Sequence, residues 1–187
     1  MKIKIFLSLV LLSFQSFASD QFNIMTDFSS VSFATIKKQF VVEPATISGL
    51  TGSLDDNGKF AITVPVINVE TGIGIRNDRL NSLFFNSGLN PTVHITGQFE
   101  LATLAQDITK LTVPADVSFY GNKKTFNFPV IITKTKNTIT VSSYAPVIVR
   151  ASDFGIPTEN LTKLAATVGG LALSDIIPLN INLVFKK

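Results

Sequence analysis

The chain has 187 residues, 45% of them hydrophobic and 16% charged, which excludes a disordered or collagen-like polypeptide and allows one sizeable core. There are no cysteines, so disulfides, thiolate nucleophiles and thiolate metal sites are excluded. With Lys2 and Lys4 set aside as part of a leader, 14 basic residues face 13 acidic ones, and a net charge of about +1 gives no basic surplus for nucleic acid.

The first 18 residues, MKIKIFLSLVLLSFQSFA, carry two lysines, an apolar run from Ile5 to Leu12, and Ser16-Phe17-Ala18. Small residues at the two positions a signal peptidase inspects complete the pattern of a secretory leader, and cleavage is expected after Ala18. The run is too short for a membrane span of roughly 20 residues. The expectation is a periplasmic or secreted protein whose single domain covers residues 19–187, and not an integral membrane protein.

Beyond the leader the dominant signal is alternation with period two. Phe60, Ile62, Val64 and Val66 share one face of a strand whose other face carries Lys59, Ala61, Thr63 and Pro65. In Thr92-Val93-His94-Ile95-Thr96, Val93 and Ile95 take one side and the single histidine faces outward with two threonines. The pattern returns at Leu111, Val113, Ala115, Val117 and Phe119, at Phe126, Phe128, Val130 and Ile132, and at Ile177 to Phe185. Turn signals separate these runs at Asp55-Asp56-Asn57-Gly58, Gly121-Asn122-Lys123-Lys124 and Lys134-Thr135-Lys136-Asn137. A meander of about seven or eight antiparallel strands is expected.

Two short helices interrupt it. Leu80, Leu83 and Phe84 repeat at helical spacing within 77–84. Leu161, Leu164, Ala165 and Val168 do so within 158–168, with Thr158 as N-cap and Gly169-Gly170 as terminator. The fold class is all-β, a barrel or sandwich with helical covers. A closed barrel of eight strands can enclose a small ligand, whereas a sandwich fills its interior. Of the 16 phenylalanines only Phe6, Phe14 and Phe17 lie in the leader, and two tyrosines and no tryptophan accompany the rest. That aromatic surface suits an apolar pocket or a packed core, and core filling is the default on pattern alone. It does not suit an outer-membrane barrel, which needs girdles of Tyr and Trp.

Catalytic constellations are scarce. There is no G-x-S-x-G elbow, and one imidazole without cysteines cannot build a zinc site. Asp55-Asp56-Asn57-Gly58 has too few spaced oxygens for a calcium loop. Gly72-Ile73-Gly74 lacks the third glycine and the βαβ context of a dinucleotide fingerprint. The paired lysines at 37–38, 123–124 and 186–187 read as solvated surface, and no spacing supports acid–base work by Glu43 with Asp153. Neither an enzyme nor a metal or organic cofactor is expected.

Two stretches carry more information. Glu70-Thr71-Gly72-Ile73-Gly74-Ile75-Arg76-Asn77-Asp78-Arg79-Leu80-Asn81-Ser82-Leu83-Phe84-Phe85, followed by Asn90-Pro91-Thr92, and Pro146-Val147-Ile148-Val149-Arg150-Ala151-Ser152-Asp153-Phe154-Gly155-Ile156 together resemble the YceI-like family of bacterial periplasmic proteins. The family has a T-x-x-x-x-R-[DN] stretch opening a short helix, then an L-F-F or D-F-F segment, then a proline before the next strand, and a D-F-G-[IL] turn near the end. Ser30 to Phe33 with Ser48 to Gly52 looks like its opening hairpin, and Phe119 to Lys124 stands where an L-x-x-G-x-x-K turn falls. Arg76-Asn77 departs from the commoner Arg-Asp, and Gly121-Asn122-Lys123 from Gly-Val-Thr.

The resemblance implies a lipocalin-like, extended eight-stranded antiparallel β-barrel with short helices and an apolar tunnel for an amphiphilic isoprenoid lipid, polyprenyl or quinone in type. The wall is then expected from Phe60, Ile62, Val64, Val66, Val93, Ile95, Leu111, Val113, Phe126, Phe128, Ile139 and Val141. Arg76 and Arg79 are candidates for the rim that meets a polar head. The competing role for Arg76 is an ion pair with an acid such as Asp153, pinning the helix to the D-F-G turn. A homodimer stays open, as does a packed barrel whose loops bind or inhibit another protein.

Overall fold

A computed structural model describes residues 21–101 and 107–187. The leader expectation lies outside these residues. Twelve strands are present: β1 (Gln21–Ile24), β2 (Ser30–Lys37), β3 (Val41–Ile47), β4 (Thr51–Asp55), β5 (Lys59–Pro65), β6 (Val69–Glu70), β7 (Thr92–Gln98), β8 (Ile108–Phe119), β9 (Asn122–Lys134), β10 (Thr138–Ser143), β11 (Val147–Arg150) and β12 (Ile176–Lys186). Helix α1 (Gly74–Arg79) runs into a π-helical turn at Leu80–Phe84, and α2 is Thr158–Ala166.

The twelve segments form eight long strands. β1 and β2 line up along one edge of β12, while β10 and β11 line up along its other edge. β3 and β4 together pair with β2 and β1, and β5 and β6 pair with β4 and β3. From β5 the chain continues as a plain meander through β7, β8, β9 and β10 to β12, which closes on the first strand. The result is a closed eight-stranded antiparallel barrel, as the family resemblance implies and within the seven or eight strands that the alternation predicts.

The breaks explain why the segments outnumber the strands. Three of them, at Thr26–Phe28, 48–50 and Val66–Asn68, lie on neighbouring strands. They are stitched together where Thr26 Oγ1 donates to the Leu50 carbonyl (3.0 Å) and Asn68 Nδ2 to that of Ser48 (3.2 Å). Each break would orphan backbone groups of the adjoining strand, and a buried unpaired N–H is costly. Two serines take the missing places beside β12. The buried Ser29 Oγ accepts from the Val184 N–H at 3.0 Å, and Ser143 Oγ accepts from Ile181 N–H at 3.0 Å.

Turns follow their sequence signals with two corrections. Asp55 Oδ1 accepts from the N–H groups of Asn57 and Lys59, both at 2.9 Å, closing the β4–β5 hairpin. In the β8–β9 hairpin the positive-φ residues are Tyr120 (51°) and Gly121 (73°), so Asn122, Lys123 and Lys124 already belong to β9 and not to the turn. Helix α2 ends as expected, with Gly169 and Gly170 at φ of 76° and 73°, but its N-cap is Pro157 and not Thr158.

The interior holds the apolar alternates of every strand, including Leu54, Val130, Ile132, Ile139 and Phe185, while their neighbours along the strands face outward. This is the reverse of a transmembrane barrel, which is apolar outside. No helix among the described residues is long and apolar enough to cross a membrane.

Candidate functional site

The barrel is not filled. A cavity of about 300 Å³ occupies the end covered by α1, α2 and the β2–β3 hairpin, and a second of about 40 Å³ lies toward the other end. Both are lined overwhelmingly by apolar side chains, and they meet at Val31, Ile95, Phe128 and Ile181. Residues filling the far end, such as Leu54 and Phe185, are almost wholly buried.

Ten of the twelve residues expected in the wall border one of the two cavities. Val64, Val66, Val93, Ile95, Phe126 and Phe128 line the larger cavity, and Phe60, Ile62, Val113 and Val141 line the smaller. Two residues do not. Ile139 is fully buried and Leu111 half-buried, both packed in the wall without bordering either space, because alternation fixes a side chain's face but not its level along the barrel.

Apart from Phe126, sequence reasoning missed the aromatic wall. Phe84 and Phe85 stack edge to face at 5.2 Å between centroids, Phe85 meets Phe119 at 6.3 Å, Phe119 meets Phe154 at 6.1 Å, and Phe154 meets Phe126 at 5.9 Å. All five line the larger cavity. Edge-to-face pairs each add about 0.5–1.5 kcal/mol beyond their buried area. The L-F-F segment and the D-F-G turn thus converge on one wall, and their aromatic residues were the available signal.

Hydrogen bonds lock the covering elements down. Asn160 Nδ2 on α2 donates to the Phe84 carbonyl (2.9 Å) and reaches the Tyr120 hydroxyl (3.2 Å). Burial is the main influence on that phenol and pushes its pKa up. Asn122 Nδ2 donates to the carbonyls of Phe154 (2.8 Å) and Tyr120 (3.1 Å), so the residue that replaces valine in the family turn ties the β8–β9 hairpin to the D-F-G turn. Gly155 has φ of 65°, and a Cβ there would sit 2.7 Å from Asn122 Nδ2.

The Thr71-to-Asn77 stretch closes the start of α1. Asn77 Oδ1 accepts from both the Thr71 hydroxyl (2.7 Å) and the Thr71 N–H (3.0 Å). A hydrogen bond with the Asn77 side chain is the leading cause of the lowered Glu70 pKa, followed by the Gly72 N–H. An amide can serve Thr71 and Glu70 at once, whereas Asp at this position would repel Glu70, which accounts for Asn here.

Charge gathers at one end of the larger cavity. In the β2–β3 register Glu43 lies opposite Thr35, on the face it shares with Lys37 two residues on. Its carboxylate is held by Lys37 Nζ at 2.5 Å and by Arg76 Nη2 at 2.6 Å, with all three side chains about four-fifths buried. Arg76 therefore pairs with Glu43 and not with Asp153. Asp153 is held by Lys124 and by the Arg150 N–H (2.9 Å), so the Glu43–Asp153 carboxylate pair does not form. Burial opposes ionisation of Asp153, but these donors outweigh it and hold its pKa below the ordinary value. Arg79 also lines the cavity, half-buried, with no acidic partner among the described residues. Lysines 37, 123 and 124 are ion-paired, to Glu43, Asp116 and Asp153, and are not merely solvated.

His94 faces outward as expected, its ring nitrogens within 3.3 Å of the Thr63 hydroxyl and 3.1 Å of that of Thr92. No cluster of three potential metal ligands occurs among the described residues.

A closed antiparallel barrel around an apolar cavity with charge at one end is the architecture of a lipocalin-like calyx. Within that class the chain belongs to the YceI-like domain family, whose model matches residues 19–185. The solved structures it resembles include a polyisoprenoid binding domain from Saccharophagus degradans implicated in plant cell wall breakdown, with TM-score 0.80 and 20% identity over 88% of this chain and 97% of that one. They also include Burkholderia cenocepacia BcnA (TM-score 0.66, 16% identity, 86% and 98% covered). The Campylobacter jejuni YCEI protein is a further match (TM-score 0.54, 17% identity, 76% and 84% covered). No curated protein matches the sequence.

Proposed function

We propose that this protein is a non-catalytic binding protein that holds a long-chain isoprenoid lipid, polyprenyl or quinone in type, inside its barrel. The observation that carries the reading is the apolar cavity of about 300 Å³ behind a charged rim. A packed barrel acting only through its loops would not leave this space, because protein interiors close to the density of organic crystals. The structural likeness to a polyisoprenoid binding domain supports the same reading.

The chain would lie along the wall of Val64, Val66, Val93, Ile95, Phe126 and Phe128 and against the five-ring aromatic face. Burial there is worth roughly 25 cal/mol per Å² of apolar surface, so a few isoprene units suffice for retention without a covalent bond. The polar head would stay at the rim, where Arg79 offers donors not already engaged by a carboxylate. Arg76 contributes less to the head than the resemblance implies, since Glu43 already holds it. The leader pattern of residues 1–18 supports a periplasmic destination.

The test is to express the chain with its own leader, purify it without detergent, and compare native with denaturing mass spectra. A stoichiometric apolar molecule released on denaturation, on a chain beginning at Ser19, is the expected result. A folded protein that is empty and stays empty when offered quinones and polyprenyl phosphates would overturn the reading.

A further inference from the structure

The β2–β3 hairpin ends in a tight turn at the charged end of the cavity. Lys38 and Gln39 have φ of 50° and 66°, and the Phe40 N–H closes the turn on the Lys37 carbonyl at 3.1 Å. The turn is not free to swing. The Lys38 N–H donates to the Ala172 carbonyl (2.9 Å), and Lys37 bridges to Leu173, itself part of the cavity lining.

This anchored tip presents apolar side chains to water. Phe40 is 84% exposed and Val42 62%, with Val41 beside them. In the first turn of α1, Ile75 is also exposed, next to the Arg76 that pairs with Glu43 just below the hairpin's tip. Lone exposed apolar residues need no explanation, but Phe40, Val41 and Val42 are consecutive at one hairpin tip. Lys38 caps the turn, and Arg79 and Arg150, which line this end of the cavity, are set against the carboxylate of Asp175. Glu43 is already spent on Lys37 and Arg76.

We infer that this end of the barrel docks on the surface of an anionic lipid bilayer, with Phe40, Val41 and Val42 inserted at the level of the head groups. Apolar side chains beside lysine and arginine are what the interface of such a membrane takes up, and a convex three-residue turn penetrates head groups better than it pairs with a flat protein face. Docked in this way, the charged end of the cavity faces the bilayer, which shortens the path of a water-insoluble chain through water. The inference rests for its purpose on the lipid-carrier reading, but its geometry stands apart from it.

The experiment is co-sedimentation of the purified full chain with phosphatidylcholine vesicles, with and without phosphatidylglycerol, alongside native mass spectrometry of the same preparation. Wild type should bind the anionic vesicles and lose binding as salt rises. The surface variant F40S/V42S should bind them at least about tenfold more weakly. Lys38→Glu should weaken binding by about tenfold or more. Ile108→Ser, exposed where β8 pairs with the end of β9 far from the opening, should leave binding unchanged.

Wild type that ignores anionic vesicles, or F40S/V42S that binds as wild type does, would overturn the docking surface even if lipid is found inside. So would a dimer in sedimentation velocity that F40S/V42S splits while vesicle binding is unaffected, since the tip would then be a contact between copies. An empty protein that still docks through Phe40 would sustain this inference and count against the carrier reading alone.

Discussion

Replacing Phe128 by alanine probes the hollow interior directly. Phe128 is 5% exposed on β9 and borders both cavities, so its ring has neighbours on some sides and space on others. Truncating a fully packed Phe costs about 3–5 kcal/mol, through lost transfer energy and the void left behind. A ring already facing voids forfeits fewer contacts, which sets the expected loss near the lower bound, about 3 kcal/mol. Ile139, fully buried and bordering neither cavity, supplies the comparison. Its truncation should cost about 4 kcal/mol, in the upper part of the range for Ile→Ala. The smaller side chain should therefore matter more. In a domain of this size the Phe128 change corresponds to a fall of roughly 6–12 °C in Tm. The assay is urea unfolding followed by circular dichroism, since the chain has no tryptophan, on protein stripped of ligand because a bound lipid adds its own stability. A Phe128→Ala loss that exceeds that of Ile139→Ala would show the ring to be fully packed and would refute the hollow interior.

Gly155→Ala should cost about 1–2 kcal/mol through its left-handed backbone and the contact with Asn122, and part of that cost should vanish in an Asn122→Ala background, measured as a double-mutant cycle. Asn122→Ala alone should cost about 1–2 kcal/mol, since two carbonyls lose their donor. Asp153 has a folded pKa below its unfolded one, so its contribution is fully present above about pH 4 and is lost as pH falls through the folded value. Wild type should accordingly lose more stability between pH 5 and about pH 2 than Asp153→Asn, by unfolding at each pH. Glu43→Gln leaves Lys37 and Arg76 facing each other without their shared carboxylate and should destabilise by about 1–3 kcal/mol, an effect that added salt reduces.

Much of this barrel is legible in the chain because a strand's two faces are a local property. Alternation identifies Phe60, Ile62 and Val64 or Phe126, Phe128 and Val130 as inward sets without knowledge of any partner. A meander of about seven or eight strands follows from those runs and the turns between them. The level of a residue along the barrel axis depends on register and tilt, which many distant pairings set jointly. That is why Leu111 and Ile139 face inward yet border neither of the two cavities described.

Other features arise only on closure. Continuous-looking strands bend at three adjacent places, and Ser29 and Ser143 lend hydroxyls to β12, a role no local pattern in the sequence announces. The partner of Arg76 is Glu43, thirty-three residues away, and the aromatic wall joins Phe84, Phe85, Phe119, Phe126 and Phe154 from four parts of the chain. The sequence by itself determined which side chains turn inward and where the chain turns back, since both depend on backbone geometry over a few residues. Whether the enclosed volume is filled or hollow was decided by the tertiary structure alone, because it is the difference between the space the closed barrel encloses and the side chains it brings together.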